Sequence, residues 1–249
     1  MSPRRSCCVF SEAAMLRASE VACSDCELDP MCQALDYAAA DSGVPEGILL
    51  RRRQVNAGEL LFESGQPFDA IYAVKSGSFK GVVSGSEAGD RVVGFYFAGE
   101  LVGAEGMAEQ HYDSTVRALE ASQVCVLYLD RLDQAGRPRQ ALQNALIHML
   151  GKEVALNQRL VAALVRQSAE QRVAAFLVSL ADRLKCHGFS PNCLVLPMSR
   201  SDIGSYLGLA RETISRLLTR FQQQDLIRLH NKRLYMLDDD RLRLIASGD

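Results

Sequence analysis

Ten residues near the start of the chain, Cys23-Ser-Asp-Cys26-Glu-Leu-Asp-Pro-Met-Cys32, hold three thiols in the pattern C-x2-C-x5-C. A fourth thiol, Cys125, stands alone 93 positions further on. Thiolates are soft ligands that select iron–sulfur clusters or zinc, and three clustered sulfurs plus a distant one can close a four-sulfur cage. Spacing alone does not separate the two metals. Zinc has no redox states and could hold such a cage without sensing through it, whereas an iron–sulfur cluster can be oxidised and dismantled. Free Cys is also commonly buried as a small hydrophobe. That reading suits Cys186 and Cys193, and Cys7 and Cys8 are bystanders in a weakly patterned stretch, but it suits C-x2-C-x5-C poorly.

A second chemistry lies near the other end. Arg211, Glu212, Ser215 and Arg216 fall within one and a half turns of a predicted helix. Polar residues on an amphipathic helix usually mean only a solvated face. Here the helix follows another helix and a tight turn at Gly208-Leu209, the arrangement of a helix-turn-helix. Arg can read guanine O6 and N7 bidentately, Glu can accept from cytosine N4, and Ser can donate or accept. Arg200, Arg220, Lys232 and Arg233 are expected to hold backbone phosphates, which position a protein without specifying sequence. No catalytic His/Asp/Ser set and no nucleotide loop appears, and the four His are scattered. An iron–sulfur redox enzyme or electron carrier is therefore the weaker function class.

Composition bounds the elements that must position these groups. The chain has 249 residues, 48% hydrophobic, 23% charged and 6% aromatic, with no Trp. That profile suits two globular domains. The net charge of -2 means that any DNA contact comes from a local patch. No apolar run approaches the roughly 18 residues a membrane span needs, and Arg4 and Arg5 are followed by no apolar segment of a signal peptide. A cytoplasmic protein without a membrane partner is expected, so its eight Cys are better read as ligands, redox thiols or core residues than as disulfides.

In chain order, residues 1–22 are expected to be mobile. Residues 23–45 carry the thiols, a short helix near Gln33–Ala40, and a loop at Asp41-Ser-Gly-Val-Pro45. From about 47 to 130, short runs between glycine turns predict an antiparallel sandwich or roll. The runs are Leu60–Phe62, Ala70–Val74, Phe79–Val83, Val92–Phe97, Val116–Leu119 and Val124–Leu129. Between 138 and 166 the period changes. Ile147, Leu150, Val154, Asn157, Val161 and Leu164 recur at steps of three and four, a coiled-coil seam on a helix that starts near Pro138. Another helix spans about Ser168–Cys186, with Ser168 and Gln171 as a capping box. Ser199 caps the first helix of the helix-turn-helix, which buries Ile203, Tyr206 and Leu207. Arg211–Phe221 follows, burying Ile214, Leu217 and Leu218. Leu226–Leu229 and Leu234–Leu237 then flank His230-Asn-Lys-Arg233 as a two-strand wing.

Thiol cluster, glycine-punctuated β domain, seam helix and winged helix-turn-helix, in that order over residues 23–245, resemble the cAMP-receptor-protein/FNR superfamily of bacterial transcription regulators, and within it the oxygen-responsive FNR branch. Gly94-Phe95 and Gly99-Glu-Leu-Val-Gly103 resemble the branch's roll motif. Arg200-Ser-Asp-Ile-Gly-Ser-Tyr-Leu-Gly-Leu followed by Glu212-Thr-Ile-Ser-Arg216 resembles its DNA-reading element. The resemblance implies an α+β fold: an N-terminal antiparallel β-roll of the cyclic-nucleotide-binding type, a long dimerisation helix and a C-terminal winged helix-turn-helix. The expected divisions are 1–22, 23–137, 138–166 and 167–249.

The resemblance further implies that Cys23, Cys26, Cys32 and Cys125 ligate a [4Fe-4S] cluster. Oxygen would convert it toward [2Fe-2S] and weaken a homodimer. Glu212, Ser215 and Arg216 would read TTGAT-type half-sites, and the loop around Ser84–Asp90 would touch RNA polymerase. Zinc or thiol regulation on the same fold is the alternative. Three departures stand out. Arg211 follows the cAMP-receptor-protein pattern R-E-T. Asn157 replaces an Asp common in the branch, leaving Glu153 as the nearby source of repulsion. Tyr112 occupies the position of the nucleotide-phosphate Arg, and Arg117 comes five residues too late, so a cyclic nucleotide is not expected to bind.

Overall fold

A computed structural model describes residues 20–27, 29–34, 50–85, 89–128, most of 143–162, 168–189 and 193–248. The expectations for Cys7, Cys8, residues 35–45, Pro138, Glu153, Asn157 and Leu164 lie outside the described residues.

The β domain is a roll of two four-stranded sheets. Its strands are β1 (Leu50–Val55), β2 (Leu60–Phe62), β3 (Ala70–Ser76), β4 (Ser78–Val83), β5 (Arg91–Phe97), β6 (Leu101–Val102), β7 (Thr115–Ala118) and β8 (Ser122–Tyr128). One sheet has the order β1-β8-β3-β6, the other β2-β7-β4-β5, and every pairing is antiparallel. Two of these strands were not anticipated. The Leu-Arg-Arg-Arg-Gln-Val run of β1 is too polar to read as a strand, because as an edge strand it turns much of its surface to water. β6 is two residues long. Inside the roll, Phe62, Tyr72, Phe79, Tyr112, Val116, Val124 and Val126 form one core.

The C-terminal part is built on α3 (Ala169–Cys186), after two short helices upstream, α1 (Asp29–Ala34) and α2 (Gly106–Glu109). Ser168 and Gln171 form the predicted capping box of α3. α4 (Arg200–Leu207) and α5 (Arg211–Gln223) make the helix-turn-helix. The wing strands β10 (Ile227–His230) and β11 (Arg233–Met236) are joined by an unanticipated β9 (Cys193–Val195), and α6 (Asp239–Ser247) closes the chain against α3. Between 143 and 162 every described residue is helical.

The two parts are not separate cores. Val92, Phe95 and Phe97 of β5 pack into the hydrophobic cluster of the C-terminal helices. Phe95, Phe176 and Tyr206 meet with ring centroids 5.2–6.0 Å apart. At the centre lies a buried ion pair. Arg183 of α3 sends Nε and Nη2 to the two carboxylate oxygens of Glu100, at 2.7 and 2.6 Å, and its guanidinium lies 5.1 Å from the Phe97 ring centroid. Glu100 also accepts the Phe97 N–H. Lys80 pairs with Asp202 at 2.6 Å, and the Val92 N–H donates to the Ser205 hydroxyl.

A charge left alone in such a place is costly. Glu100→Gln should destabilise the chain by about 3 kcal/mol in urea unfolding, and Glu100→Leu combined with Arg183→Met should recover most of that loss. Equal stability of Glu100→Gln and the parent would show that water reaches the pair.

Candidate metal centre and nucleic-acid interface

Strand alternation decides where Cys125 points. Val124 and Val126 on either side of it belong to the roll core, so Cys125 faces the outside of the sheet. Its Cα partners are Arg52 on β1 and Ala73 on β3. The N-terminal thiols are carried to that outer face by backbone pairing. The Val21 N–H donates to the Lys75 carbonyl at 3.0 Å, and Glu20 bridges to Ser76. Cys23–Asp25 form one turn of 3-10 helix, closed by the Cys26 N–H on the Cys23 carbonyl. Glu27 then ties down the next residues: its N–H donates to the Gly99 carbonyl at 2.8 Å, and its carboxylate accepts the Leu101 N–H. α1 presents Cys32, half-buried.

The four thiols share one neighbourhood. Burial pushes the Cys32 thiol up to about 12, with Cys26, Cys125 and Cys23 each adding repulsion. Burial likewise raises Cys125, while the charges of Arg52 and Lys75 pull it down. The sulfurs do not yet meet at one point. Among the described residues, no three Cys, His, Asp or Glu side chains stand close enough to hold one metal ion. That departs from an assembled cage. Cys186 is exposed and Cys193 half-buried. Both stand in the C-terminal part, on α3 and β9.

Two side chains of the site were not picked out from the sequence. Lys75 is almost fully buried, and its ammonium donates to the Val21 carbonyl and points at Cys23 Sγ, 3.8 Å away. His187, just past α3, places Nδ1 2.6 Å from the Asp25 carbonyl. A carbonyl only accepts, so that nitrogen carries the proton. Gly99 makes room for this: its φ is +102°, and a Cβ there would collide with the His187 ring. Of these features, the sequence carried a signal only for Gly99.

An aromatic cluster lies in the roll interior. Tyr112 is fully buried and stacks on Phe62 with centroids 3.9 Å apart. Its hydroxyl donates to the Asp69 carboxylate or the Ala70 carbonyl, at 2.8 and 2.7 Å, and accepts the Ala70 N–H. Desolvation holds its phenol well above the usual range.

On the DNA side, α4 is capped by Ser199 and ended by Gly208 at φ +65°. The buried face of α5 consists of Ile214, Leu218 and Phe221, with Leu217 only partly covered. Arg211, Glu212 and Arg216 are exposed and Ser215 is half-exposed, with Glu212 and Arg216 on the face opposite Ile214 and Leu218. Arg200 is exposed. Arg220 is exposed, and its Nη1 lies 3.2 Å from a carboxylate oxygen of Glu170 on α3. The seam side chains that can be placed are strongly exposed: Ile147 at 68%, Val154 at 55% and Val161 at 59%, while Leu150 is half-covered. No helix among the described residues is long and apolar enough to cross a membrane.

Comparison with known proteins agrees with this architecture. Residues 52–137 match the cyclic nucleotide-binding domain, and residues 171–245 the Crp-like helix-turn-helix domain. The solved structure of FixK2 from Bradyrhizobium japonicum shares the fold, with a TM-score of 0.70 and 24% identity over 80% of this chain and 98% of that one. The fumarate and nitrate reduction regulatory protein of Escherichia coli is 32% identical over 224 residues, 90% of each chain. The transcriptional activator protein Anr of Pseudomonas protegens is 38% identical over 240 residues, 96% of this chain and 98% of that one. These relatives are regulators with a helix-turn-helix, not enzymes. Full-length similarity at that level, on top of a roll joined to a winged helix-turn-helix, establishes that the chain belongs to the CRP/FNR family of transcription regulators and to its FNR branch.

Proposed function

We propose that this DNA-binding regulator responds to oxygen. Cys23, Cys26, Cys32 and Cys125 hold a [4Fe-4S] cluster, the loaded chain forms a homodimer, and the dimer reads palindromes of TTGAT-type half-sites in the absence of oxygen. The observation that carries this reading is the gathering of four thiols, three from a short N-terminal stretch and one from a central strand, on one outer face of the roll. An all-sulfur donor set fits an iron–sulfur cluster, and a cluster so held supplies oxygen-labile redox chemistry that zinc on the same ligands would not. Cys125 is fixed by ladder bonds on both sides, so the thiols on the 3-10 turn and α1 are the ones that adjust toward it. Against a cyclic-nucleotide-responsive reading stands Tyr112, which occupies the roll interior with its hydroxyl already satisfied.

The seam supports the dimer. Ile147, Val154 and Val161 repeat every seven residues and leave their aliphatic groups in water. A second copy of the same stripe covers them as a parallel coiled coil, with Leu150, Asn157 and Leu164 completing the seam. The two α5 helices then face successive major grooves, where Arg211, Glu212, Ser215 and Arg216 read base edges and Arg200 holds phosphate. Arg220 reaches phosphate only after leaving Glu170. The loop around Ser84–Asp90 is offered to RNA polymerase.

Protein isolated without air should be brown and carry about four iron and four sulfide per chain. Cys32→Ser or Cys125→Ser should abolish that content, and Cys193→Ser should leave it. Stoichiometric zinc without sulfide in such protein would overturn the cluster in favour of the zinc reading. Val161→Glu puts two charges into the seam, so sedimentation without air should show monomers whose iron content is intact. Arg216→Ala should weaken binding to the palindrome by about 1–3 kcal/mol per half-site at fixed salt, with a much smaller change on unrelated DNA.

A further inference from the structure

Among the described residues Lys75 is the one buried ammonium near the thiols, and it sits at a backbone irregularity of the roll. β3 and β8 pair in register from Ala70 to Val74, and the register then shifts, so that Ser76 faces Gln123 while Val74 faces Val124. Lys75 is the extra residue of this bulge. Alternation from the core-facing Val74 puts the Lys75 side chain on the outer face that carries Cys125. There the residue is 8% exposed, and its ammonium meets the Val21 carbonyl and the Cys23 sulfur. No Asp or Glu among the described residues pairs with it. Arg52, opposite Cys125 on β1, is a second cation on the same face, but an exposed one.

A buried cation calls for a buried negative partner. One thiol at 3.8 Å and one carbonyl are a poor match for it. We infer that Lys75 is a positioning residue of the thiol site: its fixed charge is the counter-ion of the anionic thiolate–cluster unit, and it also holds the Val21–Cys23 backbone in place. The inference rests on the proposed cluster reading. Because an iron–sulfur unit ligated by four thiolates is anionic overall, a fixed neighbouring cation favours its more reduced state and slows its oxidation.

The test uses the full chain reconstituted without air as the parent, Lys75→Met and Lys75→Arg, with iron and sulfide content measured first. Lys75→Met should still load, but its visible absorption should decay roughly tenfold faster in air, the size expected from removing one unit charge at close range. The midpoint potential of its cluster should shift to lower values. Lys75→Arg, which keeps the charge, should restore both properties to near the parent's. A purely structural role for the side chain would slow or reduce loading without moving the potential of what does load. Unchanged decay and potential in fully loaded Lys75→Met would overturn the inference while leaving the cluster reading intact. A parent chain that takes up no iron or sulfide would remove both.

Discussion

Glu100 carries a carboxylate that cannot stay inside the protein alone, and its partner comes from the other half of the molecule. Arg183 of α3 meets it with two nitrogens at 2.6–2.7 Å, and the Phe97 N–H takes up further lone-pair capacity. Breaking a pair of this kind exposes an uncompensated buried charge, which is why it acts as a fastener regardless of its net contribution. The same turn, Gly99–Leu101, also holds the thiol-bearing segment: Glu27 bonds to the residues on either side of Glu100. One short turn therefore anchors both the N-terminal thiols and the first helix of the DNA-binding part. The Asp25–His187 contact makes the link direct on a second side. The thiol segment and α3 are thus tied to the same turn within one chain.

Much of this was legible in the sequence because it depends on local rules. Ser168 with Gln171, Ser199 as a cap, Gly208 at positive φ and the buried Ile203, Ile214 and Leu218 all follow from capping and period. Cys125 facing away from the core follows from simple alternation along β8. The period of Ile147, Val154 and Val161 is readable in the sequence, and these side chains are exposed in the single chain. What was not legible depends on long-range register. Nothing in Glu20-Val21 announces pairing with Lys75-Ser76, and a bulge after Val74 leaves no composition signal. Lys75 looks like an ordinary solvent residue at the end of an apolar run. β1 was missed because its three arginines mask an edge strand, and β9 because three residues make no pattern. Arg220 read as free to meet DNA, and only the packing of α3 beside α5 puts Glu170 within its reach.

The division into a sensor domain and a DNA-binding domain is sharper in sequence than in space. Matches to two families break between residues 137 and 171. Yet β5 places Val92, Phe95 and Phe97 in the C-terminal core, and full burial of such side chains is worth about 1.5–3 kcal/mol each. The helix-turn-helix is thus partly folded on the roll. Phe95, Phe176 and Tyr206 would expose three aromatic rings if the parts separated, so rotation of one part on the other is opposed by more than the ion pairs Glu100–Arg183 and Lys80–Asp202.

A fold that binds cyclic nucleotides elsewhere does not bind them by virtue of the fold. Recognition of a phosphodiester in the roll needs a cation, donors that are unsatisfied until the ligand arrives, and space. Tyr112 supplies no cation there, and its own donor is already satisfied. It replaces the expected Arg with a neutral phenol, and its hydroxyl is already engaged by Asp69 and Ala70. Its ring fills the interior against Phe62, Phe68 and Tyr72, which are hydrophobic partners of the right size for one another. Restoring a nucleotide site would mean evicting a buried aromatic at a cost of several kcal/mol as well as supplying the cation. In this roll the inner face of the strands packs into an aromatic core, and Cys125 stands on the outer face.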